Sequence, residues 1–176
     1  MAKSVERDHV DDFLESIRDE LPDLDLDLEV EGIVDRIMGL SRRIKRMMEE
    51  TCAEHGLTWG EWKVLGYLHR KRGPTHRASP GQLAEHLELS SGAMTNRLDR
   101  LEEAGLIERL RDPDDRRGVQ VELTAAGREA YEQTTSAQAE KESLVASGLG
   151  AREKKDLNAL LRRMMITFED FERARH

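Results

Sequence analysis

A mostly α-helical protein with one small β-hairpin is predicted by three observations. Apolar residues recur at steps of three and four near both ends of the chain. Between these stretches, helix-starting and helix-ending residues punctuate the sequence at short intervals. Only after Gly105 does the period fall to two, around the turn-prone run DPDDRRG. Composition agrees: 4% aromatic and 36% charged residues suit a helix-rich protein better than a sheet sandwich, and four prolines leave room for long helices.

Each element follows in order. Val5 to Asp19 forms a short amphipathic helix with Val10, Phe13, Leu14 and Ile17 on one side. LPDLDLDLEVEG alternates apolar and acidic residues, but Pro22 and the density of aspartate disfavour a strand, so an extended connector is expected. Ile33, Ile37, Leu40, Ile44 and Met47 then make the seam of a helix packed along its length on another. Leu157, Leu161, Met164, Phe168 and Phe171 repeat that spacing near the other end. The two seams can pair within one chain or between two.

In the middle, Thr58-Trp59-Gly60-Glu61 is a capping box that starts a helix running to about Arg70. Ser79-Pro80-Gly81-Gln82 is a second box, with proline at the first helical position. That helix is short, with Leu83, Ala84 and Leu87 facing inward. Glu88, Leu89 and Ser90 make a tight turn, and Ser90 caps a third helix to Ala104 with Met94, Leu98 and Leu101 as its buried stripe. Gly105 ends it. Leu106 to Arg111 and Val119 to Leu123 are the hairpin strands, and Thr124 caps the next helix. Three divisions result: an acidic helix and connector over 1–32, the long seamed helices over 33–57 with 125–176, and the closely punctuated helices with the hairpin over 58–124.

The totals exclude several classes. No apolar run approaches the about 18 residues of a membrane span, and MAKSVERDHVDDF places acidic residues where a signal peptide is apolar, so a cytoplasmic protein is expected. A single cysteine, Cys52, excludes an internal disulfide. The net charge of −8 is unevenly spread. Residues 1–35 hold three basic and thirteen acidic side chains, a net of −10, which leaves +2 over the rest. The acidity therefore does not argue against a basic face elsewhere.

Two short helices joined by a tight turn and followed by a hairpin make a winged helix-turn-helix, a fold suited to double-stranded DNA. The second helix offers Ser91, Thr95 and Asn96 near its start, with Arg97 and Arg100 further along. Asparagine pairs bidentately with adenine, and arginine with guanine or phosphate. At the hairpin tip, Arg116 and Arg117 are long enough for a minor groove, and Asp115 can fix Arg117 by an ion pair. Any one of these arginines taken alone reads equally as a solvated surface charge. Their order along the chain favours DNA for the set.

These residues resemble the MarR family of regulators. The resemblance rests on Leu83-Ala84-Glu85-His86-Leu87, on SSGAMTNRLDRLEEAGLIER from Ser90 to Arg109, and on DPDDRRGVQVELTAAG from Asp112 to Gly127, and extends from about Ile33 onward. It implies a homodimer with interlocked N- and C-terminal helices, one winged domain per half of a pseudo-palindromic operator, and release of DNA by a small anionic or phenolic effector. It implies a repressor with no metal or organic cofactor. The N-terminal helix and GPTHRASPGQL are similar to the urate-responsive subgroup, whose two arginines Arg70 and Arg109 match. The subgroup's aspartate position holds Lys63, which would repel Arg109, and no tryptophan precedes Trp59; both departures disfavour urate. An effector pocket is expected between the long dimer helix and the winged domain, near Trp62 and Arg70, with Lys63, Arg70 and Arg109 as a cationic cluster. Truncation after Gly150 is expected to leave an aggregated or molten chain.

Cys52 can be an oxidation sensor or a small buried apolar residue. His55, His69, His76 and His86 invite a metal-sensing reading, but no pair has helical ligand spacing with converging carboxylates. No nucleophile elbow, phosphate-cradling glycine loop or metalloprotease motif supports an enzyme. A winged helix that only binds protein would present apolar residues where Thr95, Asn96 and Arg97 stand.

Overall fold

Asp8 opens the first helix. Its carboxylate accepts the amides of Val10 and Asp11, while the Asp11 carboxylate accepts the amide of Asp8. The computed structural model describes residues 7–71, 77–112 and 118–175. The chain divides into two compact units, Met1–Glu50 and Thr51–His176.

The first unit holds α1 (His9–Glu20) and most of α2 (Leu28–Glu54). The expected connector is shorter than the alternation suggested, because α2 begins at Leu28 rather than near Ile33. Asp27 supplies the physical reason: its carboxylate accepts the amides of Glu29 and Val30 and so starts the helix inside the acidic run. Arg36 of α2 ties the unit together. Its guanidinium bonds Asp8 at 3.0 Å and Asp11 at 2.6 Å. The Arg36 guanidinium holds the Asp8 carboxyl below its ordinary value of 3.8. The Asp8 amide, and then Arg36, do the same for Asp11.

The second unit is built on α3 (Trp59–Arg70), which starts at the capping box the sequence announces, with Glu61 Oε2 2.7 Å from the Thr58 amide. A two-residue strand β1 (Arg77–Ala78) follows, then α4 (Pro80–His86), capped by Ser79 and Gln82 as expected. Next come α5 (Ser91–Glu103), β2 (Ile107–Arg111), β3 (Val119–Leu123), α6 (Ala125–Val145) and α7 (Ala151–Arg173). The sheet order is β1-β3-β2, antiparallel throughout, with Arg109 opposite Val121 and Ala78 also opposite Val121. β1 was not foreseen. Its partner lies some 45 residues on, and Arg77 is held there by Glu122 at 2.6 Å.

Leu65 and Leu68 of α3, Leu83 of α4, Met94, Leu98 and Leu101 of α5, Ile107 of β2 and Val121 of β3 form one buried core. Burial of each such side chain stabilises by roughly 1.5–3 kcal/mol, which fixes α4 and α5 rigidly on α3. The turn between α4 and α5 passes through Glu88 at φ 53°, and Gly105 at φ 70° ends α5. By contrast α7 buries no residue within the chain: Leu157, Leu161, Phe168 and Phe171 are all exposed, Phe168 at 62%. Along α2, Ile33, Ile37 and Leu40 are exposed in the same way. Among the described residues no helix is long and apolar enough to cross a membrane.

Candidate nucleic-acid interface

The start of α5 presents a small polar surface. Ser90 Oγ accepts the Ala93 amide, which leaves the amides of the first helical residues directed outward. Ser91, Gly92, Thr95 and Asn96 are exposed there. The Thr95 hydroxyl donates to the Ser91 carbonyl at 2.9 Å, which fixes its rotamer and leaves its oxygen free to accept. The opposite stripe, Met94, Leu98 and Leu101, is 1% exposed at each position. A helix buried to that degree on one face and bare on the other is held out from the body as a rigid probe.

Arg97 and Arg100 correct the expectation that both extend as reading side chains. The Arg97 guanidinium lies across Gly60 in the first turn of α3, so close that a Cβ there would meet it. Arg100 Nε bonds Glu61 at 3.1 Å, and Glu61 is a buried carboxylate that also closes the α3 capping box. Both arginines therefore brace α5 against α3. Arg100, with its side chain 63% exposed, still keeps nitrogens available for a phosphate.

The hairpin strands are where the sequence put them. Asp115, Arg116 and Arg117 at its tip lie outside the described residues. At the hairpin base, Arg109 bonds Asp99 at 2.7 Å and Glu102 at 2.9 Å, and its amide donates to Glu102 as well. This corrects the cationic cluster of Lys63, Arg70 and Arg109: Arg109 already has two carboxylates from α5. The pairing offsets part of the negative charge of these two acids on the flank of α5.

Trp62 needs a similar correction. Its ring stacks on Trp59 at 4.9 Å and Tyr131 at 5.7 Å, and its indole N–H donates to Thr135 Oγ1 at 3.3 Å. It joins α3 to α6 and is not a free pocket wall. Arg70 is placed differently. Its guanidinium donates to the Tyr131 hydroxyl at 2.9 Å and lines a cleft of about 310 Å³ with Tyr67, Lys71 and His86. The Tyr67 and His86 rings are 4.5 Å apart, and Lys71 Nζ stands 5.9 Å from the Tyr67 ring centre. Lys63 is half-buried one turn before Tyr67 and is not among the residues of that cleft. Tyr67 and Lys71 escaped sequence reasoning, although they stand at helical spacing from Lys63, and His86 was considered only as a metal ligand.

Two further candidates are resolved by position. Cys52 is fully buried, with Gln138 Nε2 3.2 Å from its sulfur, and lacks the exposure an oxidation sensor needs. His69 contacts Glu132 at 3.1 Å and the Tyr131 ring, and among the described residues no three histidine, cysteine or acidic side chains converge on a point. His76 lies outside the described residues.

Comparison with known proteins agrees with this geometry. A model of the MarR family matches residues 55–118. The chain is 33% identical over 165 residues to the HTH-type transcriptional regulator PecS of Dickeya dadantii (strain 3937), which covers 93% of this chain and 95% of that protein. It is 30% identical over 138 residues to the HTH-type transcriptional repressor YetL of Bacillus subtilis (strain 168), covering 76% and 81%. Among solved structures, a mutant MarR from E. coli complexed with operator DNA matches with a TM-score of 0.62 and 29% identity, over 80% of this chain and 99% of that one. With a rigid polar helix start, a paired hairpin and relatives matched over nearly their whole length, the chain belongs to the MarR family and is a sequence-specific, DNA-binding winged helix-turn-helix transcription regulator, not an enzyme.

Proposed function

We propose that the protein is a cytoplasmic, homodimeric repressor that binds a pseudo-palindromic operator and is released by a small anionic aromatic effector. The observation that carries the DNA half of this reading is the bare polar start of α5 above a fully buried stripe. In this reading Ser91, Thr95 and Asn96 meet base edges in the major groove, Arg100 a phosphate, and the wing residues Arg116 and Arg117, with Asp115 orienting Arg117, the minor groove. The exposed apolar faces of α2 and α7 support the dimer, since a second copy of the chain supplies the missing partner surface.

Asn96→Ala is expected to weaken the cognate operator by about 1–3 kcal/mol and random duplex only slightly. Fluorescence anisotropy with both duplexes at matched salt measures the difference. Equal losses on the two would reduce Asn96 to a backbone contact.

For the effector, the cleft of Tyr67, Arg70, Lys71 and His86 offers aromatic faces for a ring and two cations for a carboxylate. A ligand that engages Arg70 competes with the Tyr131 hydroxyl and so loosens the joint between α3 and α6. By linkage it binds the DNA-free form more tightly by the same factor that it weakens DNA binding. Arg70→Ala is expected to retain operator binding and to lose release by salicylate. A gel shift across a salicylate series tests this. An unresponsive wild type, or a variant that still releases fully, removes the cleft from the account.

A further inference from the structure

α2 bears a second cationic surface that the DNA-binding and effector readings do not use. Gly39, Arg42, Arg43 and Arg46 are spaced as neighbours on one patch of the helix, and with His9 of α1 they line an open cleft of about 420 Å³. Neighbours at such spacing have Cβ atoms about 5–6 Å apart. Gly39 makes the floor: Arg43 Nη1 lies along it and donates to the Gly39 carbonyl at 3.4 Å, where a Cβ would already stand 3.3 Å from that nitrogen.

The charge balance here is unusual for this chain. Residues 1–35 carry thirteen acidic side chains, yet none of Arg42, Arg43 and Arg46 is ion-paired with a described carboxylate. Arg36, farther toward the start of α2, takes both Asp8 and Asp11, and Lys45 takes Glu49 at 3.8 Å. Like charges at helical neighbour spacing repel and destabilise the helix they sit on. A bound anion reverses that sign. At 3.6 residues per turn, Arg42 and Arg46 fall on the opposite half of α2 from Ile37, Leu40 and Ile44, so a partner helix on that apolar seam leaves them accessible.

We propose that His9, Arg42, Arg43 and Arg46 bind a small phosphorylated metabolite through a diphosphate group. A single carboxylate fills one guanidinium fork, whereas three forks and an imidazole call for several acceptor oxygens spread over more than one centre. Two linked phosphoryl groups meet that need, and the cleft leaves room for what they are attached to. Since His9 sits on α1 and the arginines on α2, the ligand also pins α1 to α2. This site is independent of the salicylate response at Arg70.

Isothermal titration of the full-length protein with pyrophosphate is expected to show one site per chain. Arg42→Ala with Arg46→Ala should weaken it at least tenfold, and His9→Ala should weaken it less. Arg42→Lys with Arg46→Lys should fall between. Arg152→Ala, which removes an exposed arginine from α7, should leave it within twofold. The proposal is overturned if pyrophosphate gives no binding at millimolar concentration, if citrate binds equally well, or if Arg152→Ala weakens binding as much. It is also overturned if the double alanine variant loses duplex DNA affinity in the absence of pyrophosphate, which would assign these arginines to nucleic acid.

Discussion

A chain ending at Gly150 is expected to be monomeric and to bind operator about 100- to 10,000-fold more weakly than the full protein. The reasoning begins with what α7 does not do. It buries none of its own residues within the chain, although Leu157, Leu161, Phe168 and Phe171 are spaced as one apolar stripe. Each of these stabilises by roughly 1.5–3 kcal/mol only when covered, and under the dimer reading the cover is the second copy. Without α7 the two DNA-binding units lose their link. The second half-site is then no longer bound from a raised effective concentration, which is the origin of the factor given. The core of Leu65, Leu83, Met94, Leu98 and Val121 contains no residue of α7, so cooperative unfolding of the truncated chain should persist. That departs from the aggregated or molten chain expected from periodicity alone. Sedimentation equilibrium and operator titration measure the outcome, and a truncated protein that remains a dimer at full affinity would place the interface elsewhere.

The contrast shows which parts of the molecule are legible in one sequence. Caps are local, so Thr58 with Glu61 and Ser79 with Gln82 could be read from four residues each. The buried stripe of α5 was equally plain, because Met94, Leu98 and Leu101 repeat at helical steps between a serine cap and a glycine stop. Asp27 was missed as a cap because the aspartates around it give the same local signal. β1 was missed because two residues have no periodicity and their partners lie far along the chain. The same limit explains the arginines. Whether Arg97, Arg100 or Arg109 faces DNA or folds back depends on Gly60, Glu61, Asp99 and Glu102, and in the first two cases the partner belongs to a helix some 40 residues earlier. Periodicity likewise shows that α7 has an apolar face without showing which chain covers it.

Gly127→Ala is expected to cost more than an ordinary overpacking change, about 3 kcal/mol or above, and to abolish operator binding at physiological temperature. Thr124 sets the geometry. Its amide donates to the Leu106 carbonyl at 3.1 Å, its hydroxyl donates to the Gly105 carbonyl at 2.8 Å, and the same oxygen accepts the Gly127 amide at 3.0 Å. These bonds draw the first turn of α6 onto the backbone where α5 gives way to β2. A Cβ at Gly127 would collide with the Leu106 carbonyl oxygen and lie 2.8 Å from its carbon. Backbone cannot rotate aside as a side chain can, so either α6 moves or the Thr124 bonds break. Moving α6 displaces Tyr131 and Thr135, the partners of Arg70 and Trp62. Breaking the bonds frees the base of the hairpin. Both routes disturb the spacing between α5 and the wing. Gly148→Ala is the matched control, since nothing lies within 4 Å of a Cβ there, and it should leave thermal stability unchanged or slightly raised. Thermal unfolding followed by circular dichroism, with operator titration on the same samples, separates the two variants. A Gly127→Ala protein that melts with the wild type and binds operator normally would show that the junction between Leu106 and α6 is not what holds the wing in register.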